Sequence, residues 1–226
     1  MDGTTDWDRL ADAVRDAATL LVMPCSSDKA LGGRARVARD ASVLDWLPDD
    51  LAGELVSARR RLVPRAAVDE RAVMPALDRY TGTLYQALGD HARDELRMRP
   101  TLVVSAAYGV VEGLEPVGCY ERLLRLRDWP AQLLPRTVAV YARATEVAAV
   151  VGFAGASSPY AQVLRQVAWP EAVDSAWLVS PYDVGGAAMV KTPRALGEAL
   201  TAGLDGRLDP DWRSSHGVPV AAERLR

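Results

Sequence analysis

The chain has 226 residues, enough for one large domain with a substantial core. Its composition of 49 % hydrophobic and 25 % charged residues is that of an ordinary globular protein and argues against extensive disorder. The formal net charge of -3 argues against a protein that grips nucleic acid with its whole surface, because that mode of binding needs a basic excess.

Cysteine content and hydropathy place the chain in a cellular compartment. The two cysteines, Cys25 and Cys119, are too few for a disulfide scaffold, and no charged-then-apolar signal segment opens the sequence. No apolar run approaches the roughly 20 residues of a membrane helix. We therefore expect an intracellular, cytoplasmic protein without a membrane partner; the sequence leaves its oligomeric state open.

The first elements follow from apolar spacing. A helical pattern over 6–18 leads directly into a short apolar strand over 20–23. A second helical pattern covers 49–63, and Pro64 is expected to close it because proline lacks the backbone N–H that a helix needs.

A longer helical region is predicted over 72–96. Gly82 is expected to break it near Thr81, since glycine costs about 1 kcal/mol inside a helix. A break there would expose Tyr80, Thr81 and Tyr85.

The second half repeats one arrangement, in which an apolar strand ends in small or polar residues and a helix follows. Strands separated by helices predict a single α/β domain with a largely parallel or mixed sheet flanked by helices. The predicted strands are 101–105, 149–153 and 176–180, and the predicted helices are 136–147, one containing Tyr160 and Arg165, and 193–203 with Thr192 as N-cap and Pro193 in the first turn.

These elements predict a domain over 1–205 with a helical insertion at about 40–98. Periodicity is lost beyond residue 205, so 206–226 is expected to be an irregular tail. Sheets of this kind bind ligands at the carboxyl ends of their strands, where three polar loops should converge.

The first of these loops, Pro24-Cys25-Ser26-Ser27-Asp28-Lys29, holds the densest chemistry. Among 27 basic residues only Lys29 and Lys191 are lysines, and a lysine can act as a base or a compact charge where arginine cannot. The Lys29 ammonium would favour the thiolate of Cys25. The alternatives are a solvated loop lysine and an inert buried cysteine.

Other candidate groups are less specific. If Cys119 meets Cys25, the pair can form a reversible disulfide. Arg122, Arg125 and Arg127 alternate with leucines, a pattern of an amphipathic strand that presents arginines to an anion or only to solvent. No phosphate loop, dinucleotide fingerprint or zinc spacing is present, so neither a cofactor nor a metal site is predicted.

Several segments, in order, resemble the peroxide stress protein YaaA family. The most specific is Val104-Ser105-Ala106-Ala107-Tyr108-Gly109-Val110-Val111, which is similar to that family's Leu-Ser-Gly-x-Tyr-Gly-x-Leu segment. The others are Glu115-Pro116 with Tyr120-Glu121-Arg122, Tyr80-Thr81-Gly82-Thr83-Leu84-Tyr85, Ala154-Gly155-Ala156-Ser157-Ser158-Pro159-Tyr160, and Asp50-Leu51-Ala52-Gly53-Glu54-Leu55, which resembles a Leu-Ala-Gly turn in a helix-hairpin-helix-like region.

The opening loop departs from that family. It is closer to the Pro-Cys-x-x-x-Lys element of the archaeosine synthase core domain, which works on a deazaguanine base in RNA, but Ala30-Leu31 stands where that element continues Pro-Tyr. The two resemblances together imply a polar pocket associated with nucleobases or nucleic acid.

The first reading is an enzyme with a pocket for a nucleobase-type small molecule or modified base. Cys25 would be the nucleophile or redox group and Lys29 the cation or base, with serine hydroxyls as donors and tyrosines as a stacking wall. The candidate ligand-binding residues are Ser26, Tyr80, Thr81, Tyr85, Ser105, Tyr108, Gly109, Glu115, Tyr120, Arg122, Ser157 and Tyr160.

The second reading, implied by the resemblance to YaaA, is a non-catalytic DNA-binding protein that limits peroxide damage. Arg59, Arg60 and Arg61 would then contact phosphates, and the binding would weaken steeply with salt. A third reading is an interaction module whose polar strand ends are merely solvated.

Overall fold

Short strands rich in valine, leucine and alanine alternate with helices along the chain. The computed structural model describes residues 3–35, 37 and 40–226. The strands are β1 (Leu20–Pro24), β2 (Asp69–Pro75), β3 (Thr101–Ser105), β4 (Gly109–Glu112), β5 (Pro116–Cys119), β6 (Ala149–Phe153), β7 (Ser175–Pro181) and β8 (Val220–Arg224). The helices are α1 (Gly3–Arg15), α2 (Asp49–Arg65), α3 (Ala76–Arg79), α4 (Thr83–Gln86), α5 (Asp90–Met98), α6 (Leu133–Ala144), α7 (Pro159–Arg165) and α8 (Ala188–Leu204), with 3-10 turns at Val43–Trp46 and Leu126–Asp128.

Six strands form one mixed sheet in the order β4-β3-β1-β6-β7-β8. The four central strands are parallel and the two edge strands run antiparallel to their neighbours. β1 and β3 are buried along their whole length, as expected for parallel strands covered on both faces. The predicted α/β fold with a mixed sheet flanked by helices is confirmed, as are the strands predicted at 20–23, 101–105, 149–153 and 176–180.

The segment between β1 and β3 is less purely helical than predicted. Residues 69–75 form β2, which pairs with β5 in a second, two-stranded sheet. The predicted break near Gly82 is confirmed, because α3 ends at Arg79 and α4 begins at Thr83. Tyr80 and Tyr85, however, are each only 1 % exposed, so the expectation that the break exposes these tyrosines is wrong.

Two helix ends differ from the prediction. Pro64 lies inside the last turn of α2, so the helix lacks one backbone hydrogen bond there but continues to Arg65. α8 begins at Ala188, after Ala187 in the left-handed region, so Pro193 lies within the helix and Thr192 is not its cap. Gly185 and Gly186 precede this first turn, and a pair of glycines predicts a loop. The apolar spacing alone therefore places the start of α8 too late.

The C-terminal segment is not wholly irregular. β8 extends the sheet by pairing antiparallel with β7, with Ala222 opposite Val179. Val218 and Val220 are buried, and a strand this short on a sheet edge has too little alternation to be recognised from spacing alone. The prediction of an irregular tail over 206–226 is therefore wrong for its last residues.

Within the part of the chain that the structure describes, the helices are all too short or too polar to cross a lipid bilayer.

Candidate functional site

Three loops at the carboxyl ends of neighbouring strands come into contact. The thiol of Cys25, just after β1, lies 3.2 Å from the phenol oxygen of Tyr160, which follows β6. The ammonium of Lys29 lies 4.1 Å from the centre of the Tyr120 ring, and the Tyr120 hydroxyl lies 2.7 Å from Oγ of Ser105 at the end of β3. We call Cys25, Lys29, Tyr80, Ser105, Tyr120 and Tyr160 the strand-end cluster.

Cys25 is positioned by the sheet and by Tyr160. Its backbone N–H donates to Val104 O at 3.0 Å, which continues the pairing of β1 with β3 beyond the strand. Burial raises the pKa of the Tyr160 phenol well above its usual value, so this phenol keeps its proton at neutral pH. Tyr160 can therefore donate a hydrogen bond to a thiolate at Cys25, which is 9 % exposed.

Lys29 is held by its own loop. Its ammonium donates to Ser26 O at 2.8 Å and to Ser27 O at 3.1 Å, and its third side faces the Tyr120 ring. Burial lowers the pKa of Lys29, while the nearby Cys25 and Cys119 sulfurs and two carboxylates act in the opposite direction. Because carbonyl acceptors and an aromatic face favour the charged form, Lys29 is better suited to hold the loop and supply positive charge than to remove protons.

The hydroxyls of Tyr80, Ser105 and Tyr120 form a closed triangle. Tyr80 Oη lies 3.0 Å from Ser105 Oγ and 2.9 Å from Tyr120 Oη, and the third side is the 2.7 Å contact between Ser105 and Tyr120. Each hydroxyl has one proton to donate, so a closed ring uses all three. The triangle offers no free donor to a ligand unless it opens.

The tyrosines in and beside the triangle are buried. Tyr80 and Tyr85 are each 1 % exposed and Tyr120 is 3 % exposed, and the Tyr85 hydroxyl donates to Pro24 O at 2.9 Å. These rings pack beneath the Cys25 loop with almost no exposed surface, and their role as a stacking wall for a ligand stays a prediction.

A second segment anchors the Cys25 loop from the side. The backbone N–H of Thr81 donates to Asp28 O, and Oγ of Ser26 accepts from the N–H of Gly82 at 3.2 Å. A Cβ at Gly82 would lie 2.7 Å from Cβ of Ser26, so the two segments approach closely only because residue 82 is glycine. Ser26 and Thr81 therefore fix the loop.

Arg79 is a site residue that the sequence did not reveal. It is fully buried, and its guanidinium donates to the carbonyls of Val117 at 3.2 Å and Gly32 at 3.0 Å, to Ala72 at 2.7 Å and to Ala30. It thus ties the Lys29 loop to β2 and β5. One arginine among many in this chain gives no sequence signal for such a role.

A polar groove lies beside the cluster. It has a volume of about 590 Å³, and carboxylates and guanidinium groups line it together with a serine and a leucine. The lining residues are Ser27, Asp28, Glu121, Arg122, Leu123 and Arg125. Arg122 forms an ion pair with Asp128, and the segment 121–125 has no strand, so the predicted amphipathic arginine strand is wrong.

Comparison with known proteins adds no family to this geometry. No protein-family model and no curated protein matches the chain. The resemblances to YaaA and to the archaeosine synthase core therefore stay predictions based on short motifs.

Three of the predicted ligand-binding residues make close contacts within the protein. Glu115 is 1 % exposed, and its carboxylate accepts from the N–H of Val43 at 2.8 Å and from Arg59 at 2.8 Å. The Tyr108 hydroxyl accepts from the N–H of Gly118 at 2.9 Å. Gly109 has φ of +75°, and the Trp129 ring lies 2.8 Å from where its Cβ would be. These residues brace β4 and β5, and their role in ligand binding stays a prediction.

The three arginines predicted to contact nucleic acid differ in their surroundings. Arg59 donates to the carbonyls of Tyr108 and Val110 and pairs with Glu115, so it is occupied inside the protein. Arg60 and Arg61 are exposed. Residues 50–55, which resemble the YaaA turn, lie within the continuous helix α2, as the helical pattern over 49–63 predicts.

The remaining predicted residues are Ser157 and Cys119. Ser157 is exposed at the surface of the loop that precedes α7. Cys119 is a free thiol at the end of β5, within electrostatic reach of Lys29. Both thiols therefore lie near one ammonium, and the pairing of Cys25 with Cys119 stays a prediction.

Proposed function

We propose that this chain is an intracellular protein that binds a nucleobase-type ligand over the strand-end cluster and reacts with it through the thiol of Cys25. The observation that carries the proposal is the position of Cys25 Sγ, 3.2 Å from a phenol that keeps its proton and near the half-buried ammonium of Lys29. A phenol donor and a nearby positive charge are surroundings in which a cysteine sulfur can act as a nucleophile.

The groove beside the cluster supports a ligand of this class. Its volume of about 590 Å³ lies in the range of small-molecule sites. Asp28, Glu121 and Arg125 can accept from and donate to the edge of a heterocyclic base. The resemblance to nucleobase-associated domains supports the same class.

The chemistry would be nucleophilic addition. The thiolate forms a C–S bond to an electrophilic ring carbon, and the electron pair of the adjacent C=N bond moves to nitrogen, which takes up the proton that the thiol had lost. The step is a balanced addition and needs no oxidant. Lys29 acts as a positioning residue that holds the loop and adds positive charge near sulfur.

Protection of Cys25 from alkylation tests the proposal. The protein is treated with iodoacetamide with and without a panel of free nucleobases and nucleosides, and mass spectrometry follows Cys25 and Cys119 separately. We expect at least one base to slow alkylation of Cys25 by about tenfold at saturation while leaving Cys119 unchanged. If no base on the panel protects Cys25, the proposed ligand class is wrong.

The two lysines provide a matched pair of variants. Lys29→Met should slow the reaction of Cys25 with iodoacetamide in the free protein, because the ammonium no longer favours the thiolate. Lys191→Met, which removes the half-buried lysine of α8, should leave the rate unchanged. Equal rates in both variants would show that Lys29 does not affect the reactivity of Cys25.

A further inference from the structure

A second cleft lies at the opposite end of β3 from Ser105. It has a volume of about 420 Å³ and is bordered by the 3-10 turn Val43–Trp46, the end of α5, the start of β3, the end of β4 and the end of α6. That volume suits a small organic ligand. The proposed thiol chemistry does not involve this cleft.

The carboxylate of Glu112 is held in the cleft by hydrogen bonds to one of its two oxygens. Its Oε1 accepts two hydrogen bonds, from Trp46 Nε1 at 3.0 Å and from the Tyr141 hydroxyl at 2.8 Å. Among the described residues no hydrogen bond to Oε2 is formed. The carboxylate is therefore rigidly oriented and retains an acceptor for a ligand.

An exposed tryptophan stands beside this carboxylate. Trp46 is 43 % exposed, and its ring meets that of the buried Tyr141 edge-on, with 6.0 Å between ring centres and an angle of 72°. Because the indole N–H is tied to Glu112, the ring is held in one orientation. Indole presents the best aromatic face for a cation.

The charges of the cleft favour a cation over an anion. Burial raises the pKa of Glu112, and the neighbouring Glu115 and Asp45 carboxylates raise it further. The two cationic side chains of the lining are already paired, Arg97 with Asp78 and Arg99 with Glu95. Glu146, also in the lining, is exposed and has no ion-pair partner among the described residues.

We propose that this cleft binds an organic ammonium ion, with the cationic group between the Trp46 ring and Oε2 of Glu112. A metal ion fits less well, because hard cations require several oxygen ligands and no group of three potential metal-ligating side chains occurs among the described residues. An ammonium ion needs only one carboxylate and an aromatic face.

Matched charged and neutral probes test this site. The probes are choline and its uncharged analogue with carbon in place of nitrogen, and benzylammonium with benzyl alcohol. The readout is the NMR signal of the Trp46 indole N–H, assigned with Trp46→Phe. We expect saturable shifts with at least one cation, and an affinity at least about tenfold above that of its neutral partner.

Three variants separate binding from folding. Glu112→Gln should lower the affinity for the cation by about tenfold without changing that of the neutral probe. Trp46→Leu should lower it as well, measured by calorimetry because this variant lacks the reporter indole. Glu54→Gln removes an exposed carboxylate of α2 outside the cleft and should change nothing. Equal affinity for charged and neutral probes, or no saturation with either cation, would overturn the proposal. Neither outcome bears on Cys25, since the two sites share no residue.

Discussion

Cys25 and Tyr160 are 135 residues apart in the sequence, and their contact gives the thiol a defined partner. A buried cysteine among aliphatic groups would be inert, whereas a phenol that holds its proton can stabilise a thiolate. Burial raises the pKa of Tyr160, so the proton stays on the phenol oxygen at every pH where the thiol would react. At the residue scale, the hydroxyl of Tyr160 should therefore contribute to the reactivity of Cys25.

Tyr160→Phe removes that hydroxyl and keeps the ring. We expect the alkylation rate of Cys25 at neutral pH to fall by about tenfold, since a hydrogen bond to a charged group contributes about 1.5–3 kcal/mol. The measurement is the iodoacetamide rate by peptide mass spectrometry, with Cys119 as the internal reference. Tyr182→Phe, at a half-exposed tyrosine, is the control. Unchanged reactivity in Tyr160→Phe would mean that Tyr160 only fills space.

At the scale of elements, the short helix α4 is held beneath the Cys25 loop by α8. The two helices touch at Gly197, where an added Cβ would lie 2.2 Å from the carbonyl oxygen of Leu84. Backbone cannot move aside as a flexible side chain can. The absence of a side chain at residue 197 therefore sets how closely α8 supports the segment that carries Tyr80 and Tyr85.

Gly197→Ala should destabilise the protein by at least about 2–3 kcal/mol, because overpacking forces the two helices apart. Gly53→Ala, within α2 and with open space around its Cβ, should instead stabilise it by about 0.5–1 kcal/mol. Urea unfolding of both variants measures the difference. A stable Gly197→Ala protein would show that α4 and α8 can separate without cost.

The sequence predicted the parts of the fold that depend on local pattern. β1, β3, β6 and β7 were identified because each is a short apolar run bounded by polar or small residues. β2 and β8 were missed because their pairing partners, not their own spacing, make them strands.

The same limit applies to the site. Cys25, Lys29, Ser105 and Tyr160 were predicted because they follow recognisable strands. The hydroxyl triangle and the clamp of Arg79 depend on side chains from several loops meeting in space, and no spacing in a single sequence encodes such meetings. Burial of Tyr80 and Tyr85 was likewise decided by packing from distant elements.

At the scale of the whole molecule, buried phenols link stability to alkaline pH. Burial raises the pKa of five tyrosines: Tyr80, Tyr85, Tyr120, Tyr141 and Tyr160. In the unfolded chain they ionise near pH 10, whereas in the folded protein they keep their protons. The folded state then holds more protons than the unfolded state, so its stability falls as pH rises above 10.

With five protons involved, the free energy of unfolding should fall by up to about 7 kcal/mol per pH unit well above pH 10. Lys29 acts in the opposite sense, because its pKa is lowered, but it contributes one proton and only below pH 10.5. Phenolate absorbance should appear together with loss of circular dichroism. Gradual ionisation of these five tyrosines in a protein that stays folded would contradict this expectation.

The number of exposed arginines on α2 limits how strongly DNA binding by this helix can depend on salt. With Arg59 occupied, the exposed arginines of α2 are Arg60, Arg61 and Arg65. If these three carry DNA binding, the slope of log affinity against log salt should not exceed about 3 in magnitude. A gel-shift series at several salt concentrations measures the slope, and Arg60→Ala with Arg61→Ala should remove most of it. A steeper slope would require a different surface.

The order of the strands in the sheet bears on how the protein reaches its native state. β1, in the centre, pairs Leu21 with Thr101 and Leu20 with Val150, so neither partner exists when β1 leaves the ribosome. Sheets closed by such distant pairings form slowly. During synthesis both edges of β1 therefore stay unpaired until β3 and β6 have been made. We expect this apolar strand to be a target for chaperones and the segment most exposed to aggregation.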